Sequence, residues 1–180
     1  PIFFFPEISE MPLAKTLNGP LHVVYLSNLM FTKGFTVAIA AVDQLRERGV
    51  PVHLTLCGSP LPDDYMTSAQ VQEELALHRD KPHITVAGAV FGQEKCRILS
   101  TAHVFVLPTT YPTEASPISI LEAFGAGCYV IATQQGAIPE LLQGFHADLQ
   151  PADPTAFAAA LKRVLETGRS PDIWKENRDR

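Results

Sequence analysis

Three charged side chains of this sequence are candidates for binding or reacting with a ligand: Lys33, Glu114 and Glu122. Lys33 directly precedes a predicted helix, Glu114 lies in a polar loop, and Glu122 lies inside a second predicted helix. The first turn of a helix presents unpaired N–H groups and a positive dipole end, so an anionic or polyhydroxylated ligand is expected beside the glutamates. A lysine before a helix is unfavourable with the dipole, which favours a phosphate-binding role for Lys33 over a solvated cation. The alternative for each glutamate is an ordinary solvent-exposed carboxylate.

The two glutamates belong to a strand–loop–helix–strand unit over residues 102–133. Residues 104–107 are a short apolar run closed by a proline, which is typical of a buried parallel strand, and residues 129–132 form a second such run. Ser116 and Pro117 predict the N-cap and the first residue of the intervening helix. The buried face of that helix is expected to contain Ile118, Leu121 and Ala126.

The rest of the chain alternates between apolar strand-like runs and amphipathic helical segments, which predicts a Rossmann-like, doubly wound α/β fold with a parallel sheet of about six strands. The predicted strands are residues 21–26, 52–57, 84–86, 104–107, 129–132 and 147–149. The predicted helices are residues 35–48, 66–78, 93–100, 138–142 and 155–167, with a short helix or tail at 171–180.

In such a sheet the ligand crevice lies beyond the carboxyl ends of the strands, where the strand order reverses. Loops that follow five of the predicted strands carry the unusual polar and glycine residues, so these loops are expected to meet at one edge. They are Ser27 to Lys33, Gly58, Gly88 to Gly92, Glu114, and Gln134 to Gly136.

Composition limits the class of protein. The chain has 180 residues, 46% hydrophobic and 18% charged, which suits one compact domain with a substantial core. A net charge of −5 argues against a nucleic-acid-binding protein, which usually carries a basic surface. The three cysteines and six histidines show no metal-ligand spacing, so reduced, structural roles and no metal site are expected. With no apolar run near the ~20 residues of a membrane span and no signal-peptide pattern, a cytoplasmic location is expected.

The chain is predicted to divide into three segments. Residues 1–20 are interpreted as the remnant of an interdomain linker, because the apolar run at residues 2–5 has no partner element before it. Residues 21–167 form the predicted Rossmann-like domain, and residues 168–180 a C-terminal helix or tail.

Four segments resemble, in order and spacing, the C-terminal domain of retaining glycosyltransferases of the GT-B type. This family includes sucrose synthase, bacterial glycogen synthase and many mannosyl- and glucosyltransferases of cell-envelope assembly. The resemblance covers residues 21–167, and its most specific part is the pair Glu114 and Glu122. The segments are LSNLMFTKG, LCGSP, HITVAGAVFGQEKCRILSTAHVFVLPT and YPTEASPISILEAFGAGCYVIATQQGAIPELL.

The resemblance implies a role for each candidate residue. Lys33, beside Gly34, would hold the diphosphate of a nucleoside-diphosphate sugar, and Glu114 would bind hydroxyls of the donor sugar, which makes these two the implied catalytic residues. Glu122 would accept the ribose hydroxyls. Two further sets would bind the nucleotide sugar: Gly88, Val90 and Phe91 at the base, and Ala115, Ser116, Pro117 and Ile118 at the sugar and phosphate.

One position departs from the family pattern. Most members have an arginine where this sequence has Asn28, which here follows Ser27 in place of a glycine. Asn28 is still expected to line the nucleotide site, but the diphosphate loses one cation. Either donor binding is weaker in this subfamily, or a cation from outside the segment replaces the arginine.

The function implied by the resemblance is that of the donor-binding half of an enzyme that transfers a sugar with retention, in glycan or cell-envelope polysaccharide synthesis. Fixed hydrogen-bond donors can stabilise the leaving diphosphate, so no cofactor and no metal are expected beyond the donor itself. A glycan or lipid-linked acceptor would bind mainly to a missing N-terminal domain, so the isolated domain is expected to be inactive. Peripheral membrane association is expected, if at all, only of the full-length enzyme.

Two other classes share parts of this pattern. A sugar-nucleotide epimerase of similar architecture would also bind a nucleotide sugar but would bring its own catalytic acids. A non-catalytic nucleotide-binding domain is the other alternative. A nicotinamide-dependent dehydrogenase is disfavoured, because the first strand is not followed by Gly-x-Gly-x-x-Gly.

Overall fold

The computed structural model describes residue 8, residues 15–167 and residues 172–180. The prediction for residues 2–5, and most of the predicted linker, lie outside these residues.

Within the described residues the chain forms six strands and seven α-helices, with a 3-10 turn at Phe31–Lys33. The strands are β1 (Leu21–Leu26), β2 (Val52–Cys57), β3 (Ile84–Gly88), β4 (Val104–Leu107), β5 (Tyr129–Ala132) and β6 (Ala147–Leu149). The helices are α1 (Phe35–Glu47), α2 (Ser68–Ala76), α3 (Gly92–Thr101), α4 (Ile118–Gly125), α5 (Ile138–Leu141), α6 (Pro154–Thr167) and α7 (Asp172–Asp179).

The six strands form one parallel sheet in the order β3-β2-β1-β4-β5-β6. The predicted Rossmann-like, doubly wound fold is therefore confirmed. Strand order reverses between β1 and β4, and the two loops that leave these neighbouring strands run in opposite directions. That divergence opens the crevice in which folds of this class bind ligands.

Strand β4 is apolar on both of its faces, whereas β2, β3 and β6 also carry half-buried residues. All four residues of β4 are buried, as expected for a parallel strand covered by helices on both sides. Helices α1 and α6 pack against each other on one face of the sheet. None of the helices in the described part of the chain is long and apolar enough to cross a membrane.

Several element boundaries differ from the prediction, and two of these differences have identifiable reasons. Strand β3 continues two residues further, to Gly88, because Gly88 pairs with Cys57 of β2. Helix α2 begins at Ser68 rather than at residue 66, because Thr67 caps it. The Thr67 side chain accepts a hydrogen bond from the Gln70 N–H, and the Gln70 side chain accepts one from the Thr67 N–H.

The start of helix α4 was predicted wrongly. Pro117, with φ −69° and ψ 101°, is the N-cap residue rather than the first helical residue, and no side chain caps the helix. Ser116 therefore does not act as the predicted cap. Ile118 is 61% exposed, and Leu121 is only partly buried. Ala126, the C-cap residue, is buried as predicted, and the buried residues within α4 are Ile120, Glu122, Ala123 and Phe124.

The C-terminal segment contains a packed helix. Residues Trp174 and Asn177 of α7 are buried. Asn177 donates from Nδ2 to the carbonyl oxygen of Cys128, 2.9 Å away, and accepts from the His146 N–H at 2.7 Å. The α7 helix is thus fixed to the start of β5 and to the loop before β6.

Candidate functional site

The site is built on a close approach between the chain after β1 and the end of β4. Gly34 adopts a left-handed conformation with φ 80°, and it joins the 3-10 turn to α1. A Cβ atom at Gly34 would lie 2.1 Å from the carbonyl oxygen of Pro108, far inside contact distance. Only glycine satisfies both the conformation and the spacing, so the turn that carries Lys33 is held against β4.

Lys33 and Glu114 form an ion pair at this edge. Lys33 Nζ donates to Glu114 Oε2 over 2.7 Å, and the two side chains are only 14% and 7% exposed. The Thr109 hydroxyl donates to the same oxygen at 3.1 Å, and Lys33 Nζ lies 4.2 Å from the centroid of the Tyr111 ring. The cation and the carboxylate are therefore held in place by several contacts in a partly dehydrated site.

The turn before Lys33 is fixed by a residue that the sequence analysis missed. Asp63 Oδ2 accepts from the backbone N–H of Thr32 at 2.7 Å and from its hydroxyl at 2.9 Å. Burial opposes ionisation, but these bonds and those from Tyr65 and Met66 hold the pKa of Asp63 below its ordinary value. An aspartate directly after a proline is a turn signal that could have singled it out.

The loop that carries Glu114 is held from the other side by the loop after β5. Gly136 has φ 53°, and a Cβ atom there would lie 1.6 Å from the carbonyl oxygen of Glu114. The backbone N–H of Ala137 donates to that same oxygen at 3.3 Å. The position of Glu114 thus depends on the close packing of two loops, as well as on its pair with Lys33.

Glu122 lies in a second cluster, where it pairs with a lysine that the sequence analysis did not select. Lys95 Nζ donates to Glu122 Oε1 over 2.5 Å, and Glu122 is buried on α4. Lys95 lies in the first turn of α3, where a lysine is unfavourable with the helix dipole. Lys95 therefore carries the same sequence signal as Lys33.

The second cluster lines a cavity of about 230 Å³ at the carboxyl edge of the sheet. The cavity brings together four predicted site residues, Asn28, Val90, Phe91 and Glu122, with Lys95. Phe91 is 77% exposed, so its ring is available to a ligand. The other lining residues are Leu26, Ser27, Cys57, Ser59 and Ala89.

The remaining predicted residues lie close by in the chain or in the sheet. Ala115 and Ser116, in the segment before α4, and Ile118, the first residue of α4, are exposed. Gly88 ends β3 beside Gly58, whose N–H donates to its carbonyl oxygen at 2.8 Å. Among the residues that the structure describes, no group of three or more His, Cys, Asp or Glu side chains could hold a metal ion.

Comparisons with known proteins identify the family of the chain. Residues 20–167 match the family model described as Glycosyl transferases group 1. The chain therefore belongs to that glycosyltransferase family.

Curated relatives include glycosyltransferases of polysaccharide biosynthesis. The chain is 28% identical over 89% of its length to the amylovoran biosynthesis glycosyltransferase AmsK of Erwinia amylovora. It is 30% identical over 82% of its length to the putative colanic acid biosynthesis glycosyltransferase WcaL of Salmonella typhimurium, and 27% identical over 83% to a glycogen synthase of Mycobacterium tuberculosis. The chain spans 40%, 36% and 35% of the lengths of these relatives.

Solved GT-B-type structures share the fold. Alr3699/HepE of Anabaena, in complex with UDP and glucose, superposes with a TM-score of 0.72 at 19% identity, over 93% of this chain and 48% of that one. The catalytic domain of a Helicobacter pylori cholesterol-alpha-glucosyltransferase gives 0.70 at 19% identity, over 89% of this chain and 96% of that one.

Proposed function

We propose that this chain is the C-terminal, donor-binding part of a retaining GT-B glycosyltransferase of the glycogen synthase and sucrose synthase group. One observation carries the proposal: Lys33 and Glu114 meet beside the N-terminus of α4, at the crevice between β1 and β4, and Glu122 of the same helix lines a neighbouring cavity. A nucleoside-diphosphate sugar would place its diphosphate at Lys33 and the start of α4, its sugar at Glu114, and its nucleoside in the cavity that Glu122 lines.

The diphosphate would bind between Lys33 and the start of α4. Lys33 supplies a positive charge, and the N–H groups of Ala115, Ser116 and Ile118 supply neutral donors in an exposed segment. Negative charge grows on the diphosphate as the bond to the sugar breaks, so donors that are already in place stabilise the transition state more than the ground state. Glu114, adjacent to these groups, would then bind the hydroxyls of the sugar.

The nucleoside would occupy the cavity that Glu122 and Phe91 line. Glu122 is suited to accept the two ribose hydroxyls, and the exposed Phe91 ring and the backbone around Val90 form a surface for the base. The structural neighbour Alr3699/HepE was solved with UDP and glucose, which supports a nucleotide-sugar donor. Lys95 also places a cation in the cavity that Asn28 lines, so a positive charge is available there without a contribution from outside the chain.

The whole enzyme would use this part together with a second domain that binds a glycan or lipid-linked acceptor. Relatives named for amylovoran and colanic acid biosynthesis support polysaccharide assembly as the pathway type that we propose. The donor would be the only small molecule required.

Calorimetric titration of the chain with UDP, GDP and ADP tests this proposal. We expect one of the three to bind with a Kd no weaker than millimolar, and no sugar transfer by this chain alone. Failure of all three to bind would overturn the assignment of a donor site. Transfer by the isolated chain would show that the acceptor site does not lie in a second domain.

A further inference from the structure

A second cavity lies at the carboxyl edge of the sheet, above β4, β5 and β6. Its volume is about 400 Å³, and none of its lining residues lines the cavity around Glu122. Thr109 connects it to the site, because its hydroxyl donates to Glu114. The lining residues are Thr109, Thr110, Thr133, Gln134, Gln135, Leu149, Gln150, Pro151 and Ala152.

The lining of this cavity is polar but carries no charge. Three threonines and three glutamines contribute hydroxyl and amide groups. The three hydroxyls already donate within the protein, so they can only accept from a ligand, whereas the side-chain amides can both donate and accept. Within the described part of the chain, the side-chain amides of Gln134, Gln135 and Gln150 make no hydrogen bond to protein, so they are available to a ligand. An anion would meet no cation in the lining and would lie near the Glu114 carboxylate.

The floor of the cavity is preorganised. Thr109 and Thr133 are buried, and the Thr133 hydroxyl donates to the carbonyl oxygen of Thr109 at 2.6 Å. The backbone N–H of Gln150 donates to the carbonyl oxygen of Ala132 at 2.8 Å, which ties the loop after β6 to the end of β5. Leu149 and Pro151 add apolar surface suited to the C–H face of a sugar ring.

We propose that this cavity is a subsite for a neutral saccharide, separate from the donor site. If the proposed function holds, the saccharide is a unit of the acceptor glycan, placed on the far side of Glu114 from the nucleotide. The binding of a saccharide rests only on the cavity. The assignment of that saccharide to the acceptor rests on the proposed function.

The test uses the ¹⁵N-labelled chain and three neutral probes: maltotriose, cellobiose and mannobiose. Titration without nucleotide should shift the side-chain amide signals of Gln134 and Gln150 with at least one probe at millimolar concentration. Gln134→Ala and Gln150→Ala should each weaken that probe at least fivefold. Gln72→Ala, on the exposed face of α2, is the matched control and should leave its affinity unchanged.

The absence of any shift at Gln134 and Gln150 with all three probes would overturn the proposal. So would equal effects of the Gln72 and Gln134 substitutions. A second arm adds UDP-glucose, GDP-mannose or ADP-glucose at saturation. If the bound probe stays in place, the subsite is distinct, but if the donor displaces it, the cavity is the donor sugar's own place. If a saccharide binds at this cavity but no nucleoside diphosphate binds the chain, the result supports the subsite and rejects the proposed function.

Discussion

Lys33 and Glu114 are 81 residues apart in the chain, and their side chains meet at 2.7 Å. One comes from the turn before α1 and the other from the loop before α4, so the ion pair joins the two sides of the crevice between β1 and β4. A diphosphate that binds Lys33 must compete with Glu114, and a sugar that binds Glu114 must compete with Lys33. A sugar nucleotide would supply both replacements at once: its diphosphate would pair with Lys33 and its sugar hydroxyls with Glu114.

The first prediction concerns Lys33→Met. Loss of the charge should weaken binding of a nucleoside diphosphate by about 1.5–3 kcal/mol, the range for hydrogen bonds to charged groups. The buried Glu114 carboxylate also loses its partner, so the free energy of unfolding should fall by about 1–3 kcal/mol. Calorimetry measures the first quantity and urea denaturation the second.

The double variant Lys33→Met with Glu114→Gln separates the two effects. It should recover much of the stability, because no unpaired carboxylate remains, while nucleotide binding stays weak. If Lys33→Met binds the nucleotide as the parent does, Lys33 takes no part in diphosphate binding.

The second prediction concerns Gly34→Ala, with Gly49→Ala as its matched control. Both glycines have a left-handed conformation, with φ 80° and 75°. A Cβ atom at Gly49 would meet nothing within 4 Å, whereas one at Gly34 would collide with the carbonyl oxygen of Pro108. Gly49→Ala should cost about 1–2 kcal/mol of stability from backbone conformation alone, and Gly34→Ala about 3 kcal/mol or more.

Thermal or urea unfolding of the two variants would decide this prediction. Equal losses of stability would mean that the contact between the turn and β4 relaxes at little cost. In that case the contact does not fix Lys33.

The fold was largely predictable because parallel strands and their covering helices leave strong local patterns. The bounds of β1, β2, β4, β5 and β6 were predicted correctly from apolar runs and their flanking turns. The edge at which Lys33, Glu114 and Glu122 lie also followed, since the carboxyl ends of all strands in a parallel sheet share one edge.

The contacts within the site were not predictable in the same way. Lys95 contacts Glu122, 27 positions away, and Asp63 contacts Thr32, which is 31 positions away and next to Lys33. No local sequence pattern indicates such pairings. The error at Ser116 has a local cause. The dipeptide Ser116-Pro117 fits a helix in which serine is the N-cap and proline the first helical residue, and it also fits a helix in which proline is itself the N-cap. The roles of the site residues stay predictions.

The third prediction is a pH dependence of stability centred on His103. Its Nδ1 accepts from the His22 N–H at 2.9 Å, and its ring centroid lies 5.3 Å from that of Trp174. Burial, and to a smaller extent the charges of His22 and Lys15, lower the pKa of His103 to about 4.

The unfolded chain, with an ordinary histidine pKa of about 6.5, binds this proton more readily than the folded chain does. Stability is therefore lost as the pH falls from about 6.5 to 4, by up to about 3 kcal/mol, and is fully present above that window. Urea unfolding at a series of pH values should show this loss, and His103→Gln should flatten the curve there. An unchanged slope in the variant would assign the effect to other groups, such as His53, whose pKa is also lowered by burial.

The last prediction separates the two glutamates. Glu122 lies on α4 in the cavity proposed for the nucleoside, which the bare nucleotide and the sugar nucleotide share. Glu122→Gln should therefore weaken both ligands by similar amounts, about 1–3 kcal/mol. Glu114→Gln should leave nucleoside diphosphate affinity at least as high as in the parent, because the competing partner of Lys33 loses its charge, and should weaken only the additional binding that the sugar provides.

Calorimetry with a nucleoside diphosphate and its glucose or mannose derivative measures both affinities for the parent and for each variant. In the two-domain enzyme that we propose, Glu114→Gln should lower kcat more than it raises KM, because the sugar is the group whose charge changes in the transition state. If both substitutions weaken the bare nucleotide equally, the separate roles are wrong. If neither changes the affinity of any nucleotide, the two carboxylates do not belong to a donor site, and the ion pairs Lys33–Glu114 and Lys95–Glu122 serve only the stability of the fold.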